Sequence, residues 1–365
     1  MAVRLRCLLV WLFIAPLASG AGVAHVTLGL VAPPTEPDAT SLLHGAQLAV
    51  ADANAAGFSQ VDLAVQSTNG QWGTVGNDAV ALAVDRSVDA IVAPADGAAC
   101  HLILQVSGRT QVPVACVCSD SSVTETGVTW AVRVVPRTDQ AVEAIMAATR
   151  QSNGSPLSWC AVVPEGRPGR MVRRDLERAI RHANARMVSI IETGEPKQDA
   201  VALTRAIVSA KPGGVLIWLP PSDAGSLAAA LRTAGYAGRL AGPGPLDSPE
   251  FLAAAGPAAN GTLVAEFSLD ADHRARAEQF GMRYRSRFGC APDFSAAAAY
   301  DAAGLLIQLL RQAGNGDSLS QFPVSVAADG VTGVMDFDKL GNRTDALAVL
   351  TCQDGRFVPF STNPP

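Results

Sequence analysis

FGMRYRSRFGCAPDFSAAAAYDA, residues 280 to 302, divides into three parts. An aromatic and arginine-bearing helix comes first. A Phe-Gly-x-x-Pro-Asp break at residues 288 to 293 stops it, because glycine ends a helix readily and proline cannot continue one. A small-residue helix follows and carries Tyr300 and Asp301. A second distinctive block lies downstream, GVTGVMDFDKLGNRTDA from Gly330 to Ala346.

Upstream, short β-branched runs alternate with longer helical patterns, the rhythm of repeated βαβ units on a parallel sheet. One series of expected strands is His25–Val31, Val61–Gln66, Ala90–Val92 and Val112–Val117. A second is Ser158–Val163, Met187–Ile191, Gly214–Leu219 and Gly261–Phe267. Between them, Leu43, Ala46, Val50 and Ala53 recur at helical spacing within Leu42–Ala55. Further helices are expected over Asn77–Asp85, Thr138–Gln151, Met171–Asn184, Ala200–Ala210 and Ser222–Ala234. In the last third, two adjacent helices, Asp272–Phe288 and Phe294–Ala313, precede strand-like Gly333–Phe337 and Leu347–Cys352. Two successive α/β lobes result.

The amino terminus reads as an export signal. Arg4 and Arg6 precede the apolar run Cys7 to Ala18, and Ala18-Ser19-Gly20 offers a small-residue cleavage site. That run is well short of the roughly 20 residues a spanning helix needs, so a cleaved signal peptide over residues 1–20 and a periplasmic protein that does not span the membrane are expected. Taking Arg4 and Arg6 from 28 basic residues leaves 26 against 33 acidic ones, a net charge of −7 that gives no footing for nucleic acid. Six cysteines would remain, Cys100, Cys116, Cys118, Cys160, Cys290 and Cys352, with 15 possible pairings among them. Cys116 and Cys118, two apart in an expected strand, share a face and are poor partners for each other.

The two blocks at residues 280–302 and 330–346 resemble the signature segments of the type I periplasmic substrate-binding proteins, the leucine/isoleucine/valine-binding family. The resemblance implies an α/β periplasmic binding protein type I fold, two Rossmann-like lobes with parallel sheets joined by three crossover segments. Lobe one would take residues 21–136 and 268–322, and lobe two residues 137–267 and 323–365.

In open α/β sheets, ligands sit beyond the carboxyl ends of the strands. The first lobe offers the loops Ala32–Thr40, Ala93–Ala99 and Cys118–Thr124. Pro94-Ala95-Asp96-Gly97-Ala98-Ala99 falls where the family has a Gly-Pro-x-Ser-Ser-Gly turn holding the ligand's carboxylate, with Asp96 in the approximate place of the hydroxyl. Two roles fit Asp96, capping of the following helix and contact with ligand. Cys118, Ser119 and Asp120 fall near the family's second ligand loop, and Asp120 fits equally an Asx turn. Trp72 is a candidate lid or stacking group. Trp218 replaces a tyrosine-bearing loop and fits the core better than the ligand. Gly244, in Gly242-Pro243-Gly244-Pro245, stands where the family carries an acid for the ligand's ammonium, and Arg167-Pro168-Gly169 lies where a tyrosine is common. Arg170, Arg174, Arg178 and Arg181 form a stripe that reads as a solvated face, and Arg283, Tyr284 and Phe288 read as packing between the lobes.

If Asp96 and Asp120 both face the cleft, a ligand carboxylate about 4 Å away meets repulsion of roughly 4 kcal/mol per charge at an effective dielectric near 20. This disfavours an ordinary amino acid in the family's pose and favours a cationic, polyol-like or amide ligand. The chain carries no Gly-x-Ser-x-Gly elbow, phosphate loop, His-Glu-x-x-His helix or paired metal motif. The expectation is therefore a solute-binding receptor, without catalysis, metal or cofactor, that captures a small polar or amphipathic ligand by lobe closure and delivers it to the membrane permease of an ABC importer. The alternative is a ligand-sensing regulatory module of the same fold, like the family's amide sensors, that transports nothing.

Overall fold

The structure, a computed structural model, describes residues 25–32, 37–57, 60–67, 74–150, 156–194, 200–313 and 328–361. The expected signal peptide at 1–20 and Trp72 lie outside the described residues.

The first series of apolar runs forms a sheet of β1 (His25–Ala32), β2 (Gln60–Ser67), β3 (Ala90–Ala93), β4 (Val114–Cys116) and β5 (Ala131–Arg133). Its order is β2-β1-β3-β4-β5, and every neighbouring pair is parallel. The second series builds β6 (Ser158–Pro164), β7 (Arg186–Thr193), β8 (Gly214–Ile217), β9 (Arg239–Pro243) and β10 (Thr262–Phe267), also parallel to one another. A small ribbon of β11 (Ala328–Asp329) and β12 (Val334–Met335) follows. The antiparallel β13 (Leu347–Gln353) and β14 (Arg356–Pro359) then complete the second sheet in the order β14-β13-β10-β9-β8-β6-β7. Parallel strands covered on both faces need apolar residues at every position, and β3 (AIVA) and β8 (GVLI) are buried along their whole length.

Among the described residues, ten α-helices join these strands. In lobe one they are α1 (Pro37–Ala55), α2 (Thr74–Val80) and α3 (Gly97–Thr110). Those of lobe two are α4 (Thr138–Ala148), α5 (Gly166–Ala183), α6 (Ala200–Ala210), α7 (Pro221–Thr233) and α8 (Pro249–Ala255). The chain then returns through α9 (Ala271–Phe288) and α10 (Phe294–Ala313). The expected helix Asn77–Asp85 begins earlier and ends in a π-helical turn, Ala81–Asp85.

The small residues of the opening segment have a packing role. In the first core, Ala46 and Ala49 of α1 cluster with Ala298, Ala299, Ala302 and Ala303 of α10. A Cβ on Gly45 would lie 2.2 Å from the Ala296 carbonyl oxygen, so the two backbones approach as closely as they do only with glycine there. Phe280 and Tyr284 of α9 pack with Leu48, Ala296 and Val331, and His44 stacks on Phe288 at 4.0 Å. These aromatics therefore tie α9 to α1 and α10 inside the first lobe and not between lobes, because the chain has already returned to that lobe when α9 begins. Asp301 accepts hydrogen bonds from the backbone N–H groups of Val331 (2.8 Å) and Thr332 (2.9 Å) and from the Thr332 hydroxyl. A Cβ at Gly330 would meet that carboxylate at 2.3 Å. The two sequence blocks are thus physically joined.

Arg343 explains the second block. Its guanidinium donates to the carbonyl oxygens of Val134 (3.1 Å), Thr332 (2.9 Å) and Val334 (2.9 Å), pairs with Asp345 (2.8 Å), and lies 3.6 Å from the centre of the Phe267 ring. Val134 follows β5, Phe267 ends β10, and Arg343 precedes β13. One buried side chain therefore touches all three places where the chain passes between sheets, near residues 134–137, 268–270 and 344–346. Ser268 N–H also donates to Ala346 O, 2.9 Å. Ala328 and Met335 are buried in the first core, which puts the third crossing after Arg343 and not near residue 323. The reason is that Gly341 and Asn342 run beside β5, with Arg133 N–H donating to Gly341 O at 2.8 Å.

Candidate functional site

Both sheets reverse their strand order, the first between β1 and β3 and the second between β6 and β8. Loops at the carboxyl ends of strands beside such a reversal diverge and leave a crevice. The loop after β3 and the loop after β6 stand at these two points, and a cavity of about 130 Å³ lies between the lobes there. Lobe one contributes Ala95, Asp96, Gly97 and Ala98 after β3, and Ser119 and Asp120 after β4. Across the gap stand Thr138 at the start of α4 and Arg167, Pro168, Met171, Val172 and Asp175 of α5.

Asp96 caps α3, its Oδ1 accepting the Ala99 N–H at 2.6 Å, and it lines the cavity as well. Asp120 likewise serves local structure. Its Oδ1 accepts the Ser122 N–H (3.0 Å) and hydroxyl (2.7 Å), which starts the 3-10 helix Ser121–Thr126. Asp120 Oδ2 lies against Gly97, where a Cβ would come within 2.5 Å of it. Among the described residues, neither Asp96 nor Asp120 forms an ion pair with a basic side chain. Among the described residues lining the cavity, Arg167 is the one guanidinium, beside the three carboxyl groups of Asp96, Asp120 and Asp175.

The wall continues into a bridge between the lobes. Asp175 Oδ1 accepts the Ser121 hydroxyl at 2.5 Å, and its Oδ2 accepts the Ser121 N–H at 3.3 Å. Burial pushes the Asp175 carboxyl up, and the two bonds from Ser121 pull the other way. Beside it, Glu125 pairs with Arg174 (2.7 Å) and Arg178 (3.3 Å), and Arg178 reaches Asp139 (3.2 Å). Burial opposes ionisation of Asp139, but the hydrogen bonds and charges of Arg137 and Arg178 outweigh it and hold its carboxyl below the usual range. Two members of the arginine stripe, Arg174 and Arg178, therefore face lobe one instead of solvent alone.

A second contact between the lobes is also acidic. Gly244 opens the 3-10 helix Gly244–Leu246, and a Cβ there would lie 2.6 Å from the Phe294 ring at the start of α10. Ser41 of α1 donates to Asp293 at 2.6 Å. Burial, then the charge of Asp293, push Asp247 up to about 6. Burial and the neighbouring Asp247 charge raise Glu266 well above the carboxylate range, and its Oε1 is buried without a hydrogen-bond partner among the described residues.

Of the residues singled out from the sequence, Asp96, Gly97, Ala98, Ser119 and Asp120 line the cavity together. Cys118 does not, because its side chain turns into the core behind Ser119 and is 1% exposed. Trp218 packs with Trp159, Leu216 and Ala241 in the core of lobe two, and Gly244 is covered by Phe294. The sequence reading missed Met171, Val172 and Asp175. With Arg167 and Pro168 they recur every three to four residues along α5, a face that becomes recognisable once the start of that helix is placed at the second reversal point.

The chain matches the family model described as periplasmic binding protein over residues 25–355. No curated protein matches it. Among solved structures, it is similar to a leucine-binding protein, LivK, from Thermotoga maritima, with a TM-score of 0.80, 18% identity, and coverage of 92% of this chain and 98% of that one. LivJ from Streptococcus pneumoniae in complex with isoleucine gives 0.79 at 18% identity, covering 91% and 97%. A solute-binding protein of an ABC transporter from Rhodopseudomonas palustris, in complex with 3,4-dihydroxybenzoic acid, gives 0.79 at 18%, covering 92% and 96%.

Proposed function

The chain belongs to the periplasmic binding protein family, and we propose that it is an exported receptor that closes its lobes on a small cationic or donor-rich solute and delivers it to the permease of an ABC importer. The binding residues in this reading are Asp96, Gly97, Ala98, Ser119 and Asp120 on lobe one, facing Thr138, Arg167 and Asp175. The observation that carries it is the charge of the cavity, three carboxylates against one guanidinium.

A solute carboxylate about 4 Å from either Asp96 or Asp120 is repelled by roughly 4 kcal/mol at an effective dielectric near 20, and Arg167 offsets one such term at most. An ammonium, amide or hydroxyl instead meets acceptors already fixed by their helix-capping bonds. At the second contact between the lobes, Asp247 and Asp293 are further acidic groups, while burial keeps Glu266 protonated, so that contact adds at most two negative charges. The similar structures carry ligands as different as isoleucine and a dihydroxybenzoate, so the fold leaves ligand identity to the side chains. Closure follows from geometry. A solute held by Asp120 and Arg167 touches both lobes only when they meet, and so it favours the closed state.

Mass spectrometry of solutes retained through purification without denaturant tests the reading. Recovery of a cationic, amide or polyhydroxyl compound, with a smaller radius of gyration by X-ray scattering when it is added back, is the expected result. A retained monocarboxylate without a cationic group would overturn it.

A further inference from the structure

Three cysteines meet inside lobe one, behind the cavity wall. Cys100, on the first turn of α3, is 0% exposed, as is Cys116 on β4, and Cys118 just beyond that strand is 1% exposed. Cys100 Sγ lies 3.2 Å from the Pro94 carbonyl oxygen. Pro94 directly follows Ala93, which stands beside Cys116 in the β3–β4 register, and Val117 N–H donates to Ala93 O at 3.1 Å. Cys116 and Cys118 project to the same side of β4, into the same core cluster as Cys100. Burial, and then the neighbouring Cys116 and Cys118 thiols, push the Cys100 thiol well above its ordinary value, which keeps it protonated in the folded chain.

We propose that Cys100 is a disulfide site, bridged to one of the two β4-side cysteines, Cys116 or Cys118, during folding. The bridge ties the Asp96–Ala98 turn to the Ser119–Asp120 loop, the two lobe-one segments that line the cavity. The oxidant is a disulfide, supplied in the cell by a thiol–disulfide exchange protein of the exported compartment. The thiolate of one cysteine attacks that disulfide, forms a mixed disulfide and expels one oxidant thiolate. The second cysteine then displaces the other oxidant thiolate, so two protein thiols are oxidised and two oxidant thiols appear, carrying the two protons. Burial makes the native thiols unreactive, so exchange occurs while the chain folds.

This inference rests on the export reading only for its cellular oxidant, so the deciding test supplies its own. The full chain is reduced, denatured, refolded in mixed reduced and oxidised glutathione, quenched in acid, alkylated with N-ethylmaleimide and digested with trypsin. The expected product joins the peptide Ser87–Arg109, which holds Cys100, to Thr110–Arg133, which holds Cys116 and Cys118, with the loss of two titratable thiols. Cys100→Ala should leave both cysteines of Thr110–Arg133 alkylated, and Cys290→Ser should change nothing in the linked pair. Full alkylation of Cys100 in the refolded wild-type chain, or a bridge that omits it, overturns the proposal whatever the variants do. The same mapping on protein recovered from the periplasm then reports on export alone.

Discussion

Replacing Arg343 by alanine tests whether the three crossings are held by a single side chain. The guanidinium is buried, with a fully covered side chain, and its removal leaves the carbonyls of Val134, Thr332 and Val334 without these donors and Asp345 without its partner. Each buried acceptor left unmade costs about 1–3 kcal/mol, and breaking a buried ion pair from one side costs about 3–5 kcal/mol. These costs overlap, and the Phe267 ring also loses its cation, so about 4 kcal/mol of destabilisation is expected. Against a total of roughly 5–15 kcal/mol, that is a large share. Urea unfolding followed by circular dichroism measures it as a shift in midpoint with unchanged slope. Arg343→Lys keeps the charge but not the fork and should recover less than half of the loss. A change below about 1 kcal/mol for the alanine variant would show that the crossings are held by the remaining backbone pairing, and the argument from Arg343 would fail.

Three further outcomes follow from the geometry. Gly97→Ala puts a Cβ against the Asp120 carboxylate, 2.5 Å from Oδ2. Overpacking of about 1–3 kcal/mol should weaken the retained solute about tenfold in a calorimetric titration while the helix content is unchanged. Asp247 sits at about 6, so the native state holds more protons than the unfolded one between the usual carboxylate value near 3.9 and that point. Stability therefore falls as pH rises through this window, and Asp247→Asn should gain up to about 3 kcal/mol near pH 8 and nothing below about pH 4 in unfolding curves. Glu125→Gln removes two half-exposed pairs between the lobes, each worth about 0.2–1 kcal/mol. It should enlarge the unliganded particle in X-ray scattering, as should added salt in the wild type, and an unchanged profile in both would refute a role in closure.

Much of the architecture was legible because its elements are long and periodic. The helices at residues 200–210 and 294–313 fall where the sequence pattern puts them, and β1 and β10 differ by a single residue at one end. β5, only Ala131-Val132-Arg133, is too short to show a pattern, and β9, Arg-Leu-Ala-Gly-Pro, lacks β-branched residues and is a strand because β8 and β10 flank it. The cavity was half legible. Asp96, Ser119 and Asp120 follow from the rule that loops after parallel strands carry the site. Met171, Val172 and Asp175 sit one to three turns into α5, and which face of that helix meets the opposite lobe depends on how the lobes close, which local sequence does not encode. Trp218 shows the opposite limit: an indole after a strand fits stacking or core, and only the surrounding Trp159, Leu216 and Ala241 decide for core.

Titration calorimetry of leucine and valine into the solute-free protein at neutral pH, set beside Asp120→Asn, bears most directly on the charge of the cavity. The account predicts no measurable heat for either amino acid with the wild-type chain, and a gain of affinity for carboxylate solutes in the variant, where one repulsive charge of about 4 kcal/mol is gone. Micromolar binding of leucine or valine to the wild-type chain would contradict it.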